Sequence, residues 1–300
     1  MEKPRATVVI PCFNHGAFVR AAVDSALAQE GADVRVVVVN DGSDDGASAA
    51  ACDACAGDPR VRVVHQDNRG LPAARNRGAA GAETEYLVFL DADDWIEPGF
   101  VRTLAGAIER EEGAGGVSHA YCQERLVEKG SGVWKVPAWD PVLLLITNLH
   151  PVTALVKRGC FEAAGGFDET MRGGYEDWEF WIRMAERGWR GVRVEEPLFV
   201  WRRHSHSTMV MNVIRDHHDL YAAIRERHPR LYKEHATEII VRSNALMNRC
   251  GMNWLDEREE PVTLRAMKRQ RAMYESIVAV RVQRGMQRGL KRLLGRGARA

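Results

Sequence analysis

Three carboxylates stand within four positions at the end of one apolar run. Residues 86–90 are five consecutive apolar residues, and Asp91, Asp93 and Asp94 follow them directly. Such a run predicts a strand that is buried on both faces. Because crowded carboxylates repel and raise one another's pKa, we expect a positive partner among them. A hard divalent cation, Mg²⁺ or Mn²⁺, suits this role, since it takes oxygen ligands and usually only one or two protein carboxylates.

An acidic turn that caps a helix starting near Glu97 is the ordinary alternative for residues 91–94. Two other acidic motifs fit poorly. A calcium-binding helix–loop–helix needs an oxygen ligand and a glycine where Trp95 and Ile96 stand. The Asp-x-Asp-x-Thr or Val pattern of phosphatases with an aspartyl nucleophile also departs at Trp95.

The overall composition limits the class of protein. Lys and Arg number 42 against 41 for Asp and Glu, so no global field would recruit nucleic acid. No apolar run approaches the roughly 18 residues of a spanning helix. The first four residues lead straight into a predicted strand, so we expect no secretory signal. Six cysteines without dense spacing suit a reducing compartment, and Cys52 and Cys55 are expected to be small buried helix residues. These features favour a cytoplasmic protein.

The first hundred residues alternate between strand and helix patterns. Strands are predicted at 6–10, 35–39, 61–65 and 86–90, with helices at 17–29 and 47–56. This alternation predicts right-handed crossovers and a parallel sheet covered by helices on both faces. Polar residues 12–16, 40–46 and 91–94 would then gather at the carboxyl edge, where open α/β sheets bind ligands.

Several common chemistries lack their motifs. No G-x-G-x-x-G follows the first strand and no G-x-x-x-x-G-K-[ST] occurs, so neither a Rossmann-type dinucleotide site nor a P-loop is expected. H-E-x-x-H and G-x-S-x-G are absent as well, which argues against zinc peptidases and serine hydrolases.

Six segments, in order, resemble the successive motifs of family 2 glycosyltransferases. They are VVIPCFN at 8–14, VNDGSDD at 39–45, GLPAARNRG at 70–78, DADD at 91–94, GYEDWEFW at 174–181 and WRRH at 201–204. The resemblance covers roughly residues 5–207. It implies a GT-A-type α/β nucleotide-binding fold in residues 1–207, with a mainly parallel central sheet flanked by helices. About 1–97 would hold the nucleotide-sugar and about 98–207 would form the acceptor half.

The resemblance also implies a nucleotide-sugar donor, with a UDP-sugar as the first expectation, a hydroxyl acceptor and one displacement that inverts the anomeric carbon. Pro11, Phe13 and Asn14 would frame the nucleoside. Asp41 would accept a hydrogen bond from the ring N–H of the base. Arg75 would lie near the diphosphate or among the carboxylates, since a delocalised cation suits either place.

The remaining donor-side roles concern sugar and metal. Asp91 and Ala92 are implied donor contacts, Asp91 through ribose or sugar hydroxyls. Asp93 would bind Mn²⁺ or Mg²⁺, which offsets charge on the leaving diphosphate. His204 would complete the metal or diphosphate site, or it is a surface residue in the Arg-rich run 202–206.

A general base is needed because the acceptor hydroxyl must lose a proton as it attacks. In the family it is the Asp of the Glu-Asp pair, here Asp177, which stands at the predicted start of a helix whose dipole would keep it ionised. The alternatives are Glu176 as the base, or Asp177 as a helix cap only. Trp139 and Trp178 are candidate acceptor contacts, since aromatic faces suit sugar rings, although Trp139 could equally be core.

Residues 208–300 are predicted to form a helical extension with a basic tail. Helical spacing occurs at 209–227, 231–250 and 261–294, and no acidic residue follows Glu275. The tail's basic residues are Arg281, Arg284, Arg288, Lys291, Arg292, Arg296 and Arg299, and its apolar residues at helical spacing are Val278, Val282, Met286, Leu290 and Leu293. The pattern is typical of a helix on an anionic membrane surface, which would place the protein at the inner face of the membrane. A solvated tail or a partner-packed helix is the alternative.

The resemblance therefore implies a metal-dependent hexosyl- or N-acetylhexosaminyltransferase for cell-surface polysaccharide or glycoconjugate synthesis. A catalytically idle nucleotide-sugar-binding or scaffold protein on the same fold is one alternative. A nucleotidyltransferase is another, but it would need a Gly-rich basic loop after the first strand, and residues 12–16 are not of that kind.

Overall fold

The computed structural model describes residues 3–128, 131–203 and 208–249. The strands are β1 (Arg5–Cys12), β2 (Asp33–Asp41), β3 (Val61–Gln66), β4 (Tyr86–Phe89), β5 (Trp95–Ile96), β6 (Val117–Glu128), β7 (Gly132–Trp134), β8 (Leu155–Lys157) and β9 (Arg190–Arg203). The helices are α1 (Gly16–Leu27), α2 (Ser48–Asp53), α3 (Leu71–Ala79), α4 (Phe100–Glu111), α5 (Pro141–Leu144), α6 (Arg158–Ala164), α7 (Glu176–Glu186), α8 (Thr208–Arg227), α9 (Pro229–Glu234) and α10 (Ala236–Arg249).

The first half of the sheet is parallel, as the strand–helix alternation predicts. Strand β1 pairs with β2 on one side and β4 on the other, and β2 pairs with β3. Its β-branched residues alternate between two apolar layers. Val8, Val36 and Val88 belong to the core that includes residues of α1 and α4, whereas Val37 and Val39 pack with Ala74 of α3. Apolar side chains thus cover both faces of these strands. The polar segments that follow β1, β2 and β4 lie at the carboxyl edge of the sheet.

The second half of the sheet is mixed. Strand β8 lies antiparallel to both β4 and β6, while β6 and β9 run parallel over most of their length. Strand β5 pairs antiparallel with β9, and β7 forms a hairpin with β6. The strand order is β3-β2-β1-β4-β8-β6-β9-β5, so the parallel strands and the mixed strands form one continuous sheet. This arrangement confirms the predicted α/β class.

Helix α3 packs unusually close to the sheet. A Cβ built on Gly78 would lie 2.3 Å from Val9 Cγ1, so only glycine allows this approach. The helix starts after Gly70, whose φ of 90° suits glycine, and Pro72 occupies its first turn. Together these features fix the position of Arg75, which is 2% exposed.

The first compact unit of the chain ends at His235 and so includes α8 and α9. The reason lies in two tyrosines of α8 and α9, because Tyr221 and Tyr232 donate their hydroxyls to the Leu145 carbonyl at 2.8 and 3.0 Å. His228, at the start of α9, contacts Glu186 of α7 at 2.8 Å. The predicted helix at 209–227 is present as α8.

Helix α10 belongs to the second unit, and it is the described part of that unit. The basic tail predicted for residues 278–299 lies outside the described residues. Within the described ranges, no helix combines the length and the low polarity needed to span a bilayer.

Candidate functional site

The side chain of Asn14 joins the loops after β1 and β2. Asn14 Nδ2 donates to Asp44 Oδ1 at 2.7 Å, and Asn14 Oδ1 accepts from the backbone N–H groups of Asp44 and Asp45 at 3.0 and 3.2 Å. Asn14 adopts a φ of 57°, a left-handed conformation that asparagine tolerates. Its neighbour Phe13 is 42% exposed, so its ring is open to solvent at this edge, whereas Pro11 is buried in β1.

Asp41 ends β2 and holds the loop that leads into α3. Its Oδ1 accepts from Gln66 Nε2 at 2.7 Å and from the Arg69 N–H at 2.9 Å, and its Oδ2 accepts from the Gly70 N–H at 2.9 Å. The adjoining Gly42 lets this loop approach, because a Cβ there would lie 2.5 Å from the Asn68 nitrogen. The carboxylate is 3% exposed and is thus chiefly a loop anchor in this structure.

The three carboxylates after β4 have different surroundings. Asp94 is 5% exposed, and its Oδ1 accepts from the Arg202 N–H of β9 at 2.8 Å. Burial, followed by the nearby charges of Asp93 and Asp91, raises its pKa well above the ordinary value. Asp93 Oδ1 lies 3.9 Å from His15 Nδ1 in the loop after β1. Asp94 is therefore a structural link between β9 and the loop after β4.

Arg75 links the donor edge to the second half of the chain. Its Nη2 donates to Asp91 Oδ1 at 2.7 Å and its Nη1 donates to Glu176 Oε1 at 2.5 Å. Burial disfavours the charged guanidinium, but the carboxylates of Asp91 and Glu176 outweigh this and raise the pKa of Arg75. Of the two predicted places for Arg75, the structure shows the one among the carboxylates.

Asp177 is the second residue of α7 and lies beside this cluster. Its Oδ1 accepts from the Trp178 N–H at 2.7 Å, and its Oδ2 accepts from Asn148 Nδ2 at 3.0 Å. The residue that caps α7 is Tyr175, so Asp177 is not the N-cap. Burial, then the charge of Glu176, raises the pKa of Asp177 to about 7, although Arg75 acts in the opposite direction. Burial and Glu176 therefore act against the helix dipole, which by itself would favour the ionised carboxylate.

The two candidate acceptor tryptophans pack against protein. Trp178 is 2% exposed, donates Nε1–H to the Leu144 carbonyl at 2.6 Å and stacks on Tyr221. Trp139 is half-buried and makes an edge contact with His119, with ring centroids 5.1 Å apart. Trp178 is thus a core residue, and Trp139 joins an aromatic cluster at the margin of the core.

A divalent metal fits the donor set at the β4 edge only in part. Within the described ranges, no group of three or more His, Cys, Asp and Glu side chains is arranged around one point. Mg²⁺ and Mn²⁺ need only one or two protein carboxylates when a diphosphate supplies further oxygens, and Asp91 and Asp93 can provide them. The side chains of Asp91 and Asp93 are 38% and 19% exposed, and the buried Ala92 stands between them. His204 lies outside the described residues.

Sequence reasoning missed several residues that the structure brings to the site. Gln66 and the Arg69 backbone hold Asp41, His15 approaches Asp93, and Asn148 holds Asp177. The Arg202 guanidinium lies over the rings of Phe18 and Trp95, at 5.0 and 5.1 Å from their centroids. His15 lies in the polar segment 12–16 and Arg202 in the WRRH segment, but no local pattern marks the others, because each acts through a partner distant in sequence.

Similar proteins are glycosyltransferases. The uncharacterized glycosyltransferase EpsJ of Bacillus subtilis is 27% identical over 216 residues, which are 68% of this chain and 62% of that protein. The succinoglycan biosynthesis protein ExoO of Rhizobium meliloti is 42% identical over 113 residues, 37% of this chain and 31% of that protein. The chain thus matches less than two thirds of the length of these relatives.

Two solved structures share the fold. S. aureus TarS 1-349 in complex with UDP-GlcNAc superposes with a TM-score of 0.58 at 18% identity, over 69% of this chain and 60% of that chain. The mannosyltransferase PcManGT from Pyrobaculum calidifontis, in complex with GDP-Man and Mn²⁺, gives 0.54 at 20% identity, over 97% and 87%. These likenesses confirm the GT-A-type fold.

The family follows from the sequence match itself. Residues 7–163 match the model described as glycosyl transferase family 2, and they make up more than half of the 300 residues. The four amino-terminal motif segments lie within this range, and the Glu176–Asp177 pair follows it on α7. This chain is a member of glycosyl transferase family 2.

Proposed function

We propose that the protein transfers a hexosyl or N-acetylhexosaminyl group from a UDP-sugar to a hydroxyl acceptor, with inversion at the anomeric carbon. The observation that carries this proposal is the Arg75 bridge, which joins Asp91 on the donor edge to Glu176, the neighbour of Asp177. A donor held at the β4 edge would have its sugar close to the candidate base. The names of relatives and the UDP-GlcNAc complex of TarS support the substrate class and a role in polysaccharide or glycoconjugate synthesis.

Asp177 is favoured over Glu176 as the general base. Glu176 is 5% exposed and its Oε1 is held by Arg75, so it is committed to an ion pair. Asp177 is partly exposed, and a pKa of about 7 makes it a better proton acceptor than an ordinary carboxylate. In its ionised form it takes the acceptor proton while the acceptor oxygen bonds to the anomeric carbon. The bond from that carbon to the diphosphate breaks, and its electron pair leaves with the diphosphate.

The donor side would be held by the residues at the carboxyl edge. Phe13 offers an exposed ring to the nucleoside, and Asp91 offers a carboxylate for ribose or sugar hydroxyls. Asp41 has three of its acceptor positions in use and retains capacity for the N–H of a uracil. Asp93, with His204 as the family resemblance implies, would hold Mn²⁺ or Mg²⁺. Such a cation, when bound, supplies Lewis-acid stabilisation of the leaving diphosphate.

The experiment that tests this proposal is donor turnover with a panel of UDP-, GDP- and dTDP-sugars in Mn²⁺, measured as release of the nucleoside diphosphate. Release from a UDP-sugar that disappears in Asp177→Asn supports an enzyme with this base. Binding of the donor without release by the native chain, in the presence of hydroxyl acceptors such as simple glycosides, would instead favour the idle nucleotide-sugar-binding alternative. A thermal-shift screen measures donor binding independently of release, since ligand at 100 times its Kd stabilises by about 2.7 kcal/mol.

A further inference from the structure

Asn148 makes a direct contact with the candidate base. Its Nδ2 donates to Asp177 Oδ2 at 3.0 Å, while the Trp178 backbone N–H donates to Asp177 Oδ1 at 2.7 Å. Each carboxylate oxygen therefore has one donor, and the two donors come from different parts of the chain. Two such bonds fix both the position and the plane of the carboxyl group.

The segment that carries Asn148 is itself anchored to the helices around Asp177. The carbonyl of Leu144 accepts from Trp178 Nε1, and the carbonyl of Leu145 accepts from the hydroxyls of Tyr221 and Tyr232. Helix α5, which precedes this segment, is capped by Asp140. The Asp140 Oδ1 accepts from the backbone N–H groups of Val142 and Leu143. Asn148 is thus held in place relative to α7 by bonds that do not involve its own side chain.

The other end of the Asn148 amide is unusual. Its Oδ1 is buried and has no hydrogen-bond partner among the described residues. A buried acceptor without a partner costs free energy. The hydrogen bond from Nδ2 to Asp177 must therefore offset this cost in the observed orientation of the amide. A carboxylate only accepts hydrogen bonds, whereas a carboxylic acid also donates one. The Asn148 amide can partner both forms. Its Nδ2 donates to ionised Asp177. After a half rotation of the amide, its Oδ1 can accept a hydrogen bond from protonated Asp177.

Three other titratable or charged groups act on Asp177. Glu176, its neighbour on α7, disfavours the ionised form, and Arg75 of α3 favours it. Tyr175, which precedes α7, is close enough to Asp177 to be affected by its charge. Of the groups acting on Asp177 from outside α7 and its cap, Arg75 carries a charge and Asn148 is neutral. Asn148 can therefore assist the ionised form without adding a charge to the cluster.

We propose that Asn148 is a positioning residue for the general base: its amide orients the Asp177 carboxylate for proton transfer and partners the carboxyl group before and after it takes the proton. This inference rests on the proposed role of Asp177 as the base. Asn148 itself does not need to contact the donor or the acceptor.

The test is a titration of Asp177 by carboxyl ¹³C NMR in protein labelled at aspartate, with the Asp177 signal assigned by its loss in Asp177→Asn. The variants are Asn148→Ala and the isosteric Asn148→Asp, and the control is Thr147→Ala, an exposed neighbour. We expect the midpoint to rise by about one to two pH units in Asn148→Ala, the size expected for a lost hydrogen bond to a charged group. It should rise further in Asn148→Asp, because a like charge then faces Asp177. Thr147→Ala should titrate as the native protein does.

Turnover gives a second readout, with UDP-N-acetylglucosamine and Mn²⁺ as the probe and water as the acceptor. The kcat of Asn148→Ala should fall about tenfold at pH 6.5 and recover towards pH 9, with the donor KM unchanged, as a shift of one pH unit requires. If Asn148 only fills space, the kcat loss in Asn148→Ala should not depend on pH. That result, or an unmoved Asp177 midpoint in Asn148→Ala, overturns the proposal. Retained turnover in Asp177→Asn would instead overturn the base assignment, while the titration still reports the Asn148 contact.

Discussion

Arg75 donates a hydrogen bond to Glu176 at 2.5 Å although 101 residues separate them along the chain. The same guanidinium contacts Asp91, so one buried cation lies between a carboxylate of the donor edge and one of α7. The Asp91 side chain is 38% exposed and can be hydrated, whereas the Glu176 side chain is 7% exposed and depends on Arg75. The two halves of the site are therefore coupled through a charge pair that cannot be broken without leaving Glu176 buried and unpaired.

Replacement of Arg75 should destabilise the whole domain. Arg75→Met leaves the Glu176 carboxylate without its cation, and removal of one partner of a buried pair costs about 3–5 kcal/mol. Urea unfolding followed by circular dichroism measures this loss. The double variant Arg75→Met/Glu176→Gln should regain part of the stability, because the uncompensated charge is gone. Losses that simply add in the double variant would show that the two residues are not coupled.

Substitution of the candidate base should affect transfer and leave the fold intact. Asp177→Asn keeps the shape of the side chain, and its Oδ1 can still accept from the Trp178 N–H, but it cannot accept the proton, so transfer should fall roughly 10²–10⁴-fold. Donor affinity, measured by calorimetry, should not change. At pH 8 the variant should be at least as stable as the native chain, since a neutral amide avoids the cost of desolvating an ionised carboxylate at this half-buried position. Near-normal transfer would move the assignment to Glu176.

The rate of turnover should depend on pH with an acid limb near 7. Burial raises the pKa of Asp177 to about 7, and only the ionised form can take a proton. The kcat should therefore rise as pH increases through 7 and fall as pH decreases below it. Initial rates between about pH 5.5 and 9 at saturating donor measure this limb. A rate that is flat across the range would contradict a base with a raised pKa.

The metal proposal predicts a specific loss at Asp93. Asp93→Ala should abolish turnover in Mn²⁺ or Mg²⁺ without unfolding, because the side chain lies at the edge of the sheet and is 19% exposed. Excess EDTA should have the same effect on the native protein, and added Mn²⁺ should reverse it. Asp24→Ala, an exposed substitution on α1, is the matched control. Full activity in EDTA would rule out the metal.

The predicted basic tail can be tested by truncation. Removal of residues after 276 takes away the basic and apolar positions of the predicted surface helix. Donor turnover should persist, since the family motifs lie before residue 208. Co-sedimentation with vesicles that contain phosphatidylserine should decrease on truncation. The difference between the native and truncated proteins should be larger at low salt, because high salt screens the attraction between the basic tail and the anionic surface. Unchanged binding would assign the tail to packing or solubility.

The sequence by itself determined the family, the parallel strands β1 to β4 and the edge at which the polar motifs gather. These features depend on local patterns: β-branched runs make buried strands, and turn residues follow each strand. The same reasoning located Asp177 at the start of a helix, which the structure shows as α7.

Only the tertiary structure decided which side chains meet. Arg75 with Glu176, Asp177 with Asn148 and Asp41 with the loop before α3 are pairs that no local pattern predicts. The pKa of Asp177 belongs to this group as well, because burial and a neighbouring carboxylate act against the helix dipole. Helices α8 and α9 likewise contact the rest of the first unit through residues distant in sequence, as the Tyr221 and Tyr232 bonds to the Leu145 carbonyl show. Desolvation and contact with distant residues set these properties, and both exist only once the chain has folded.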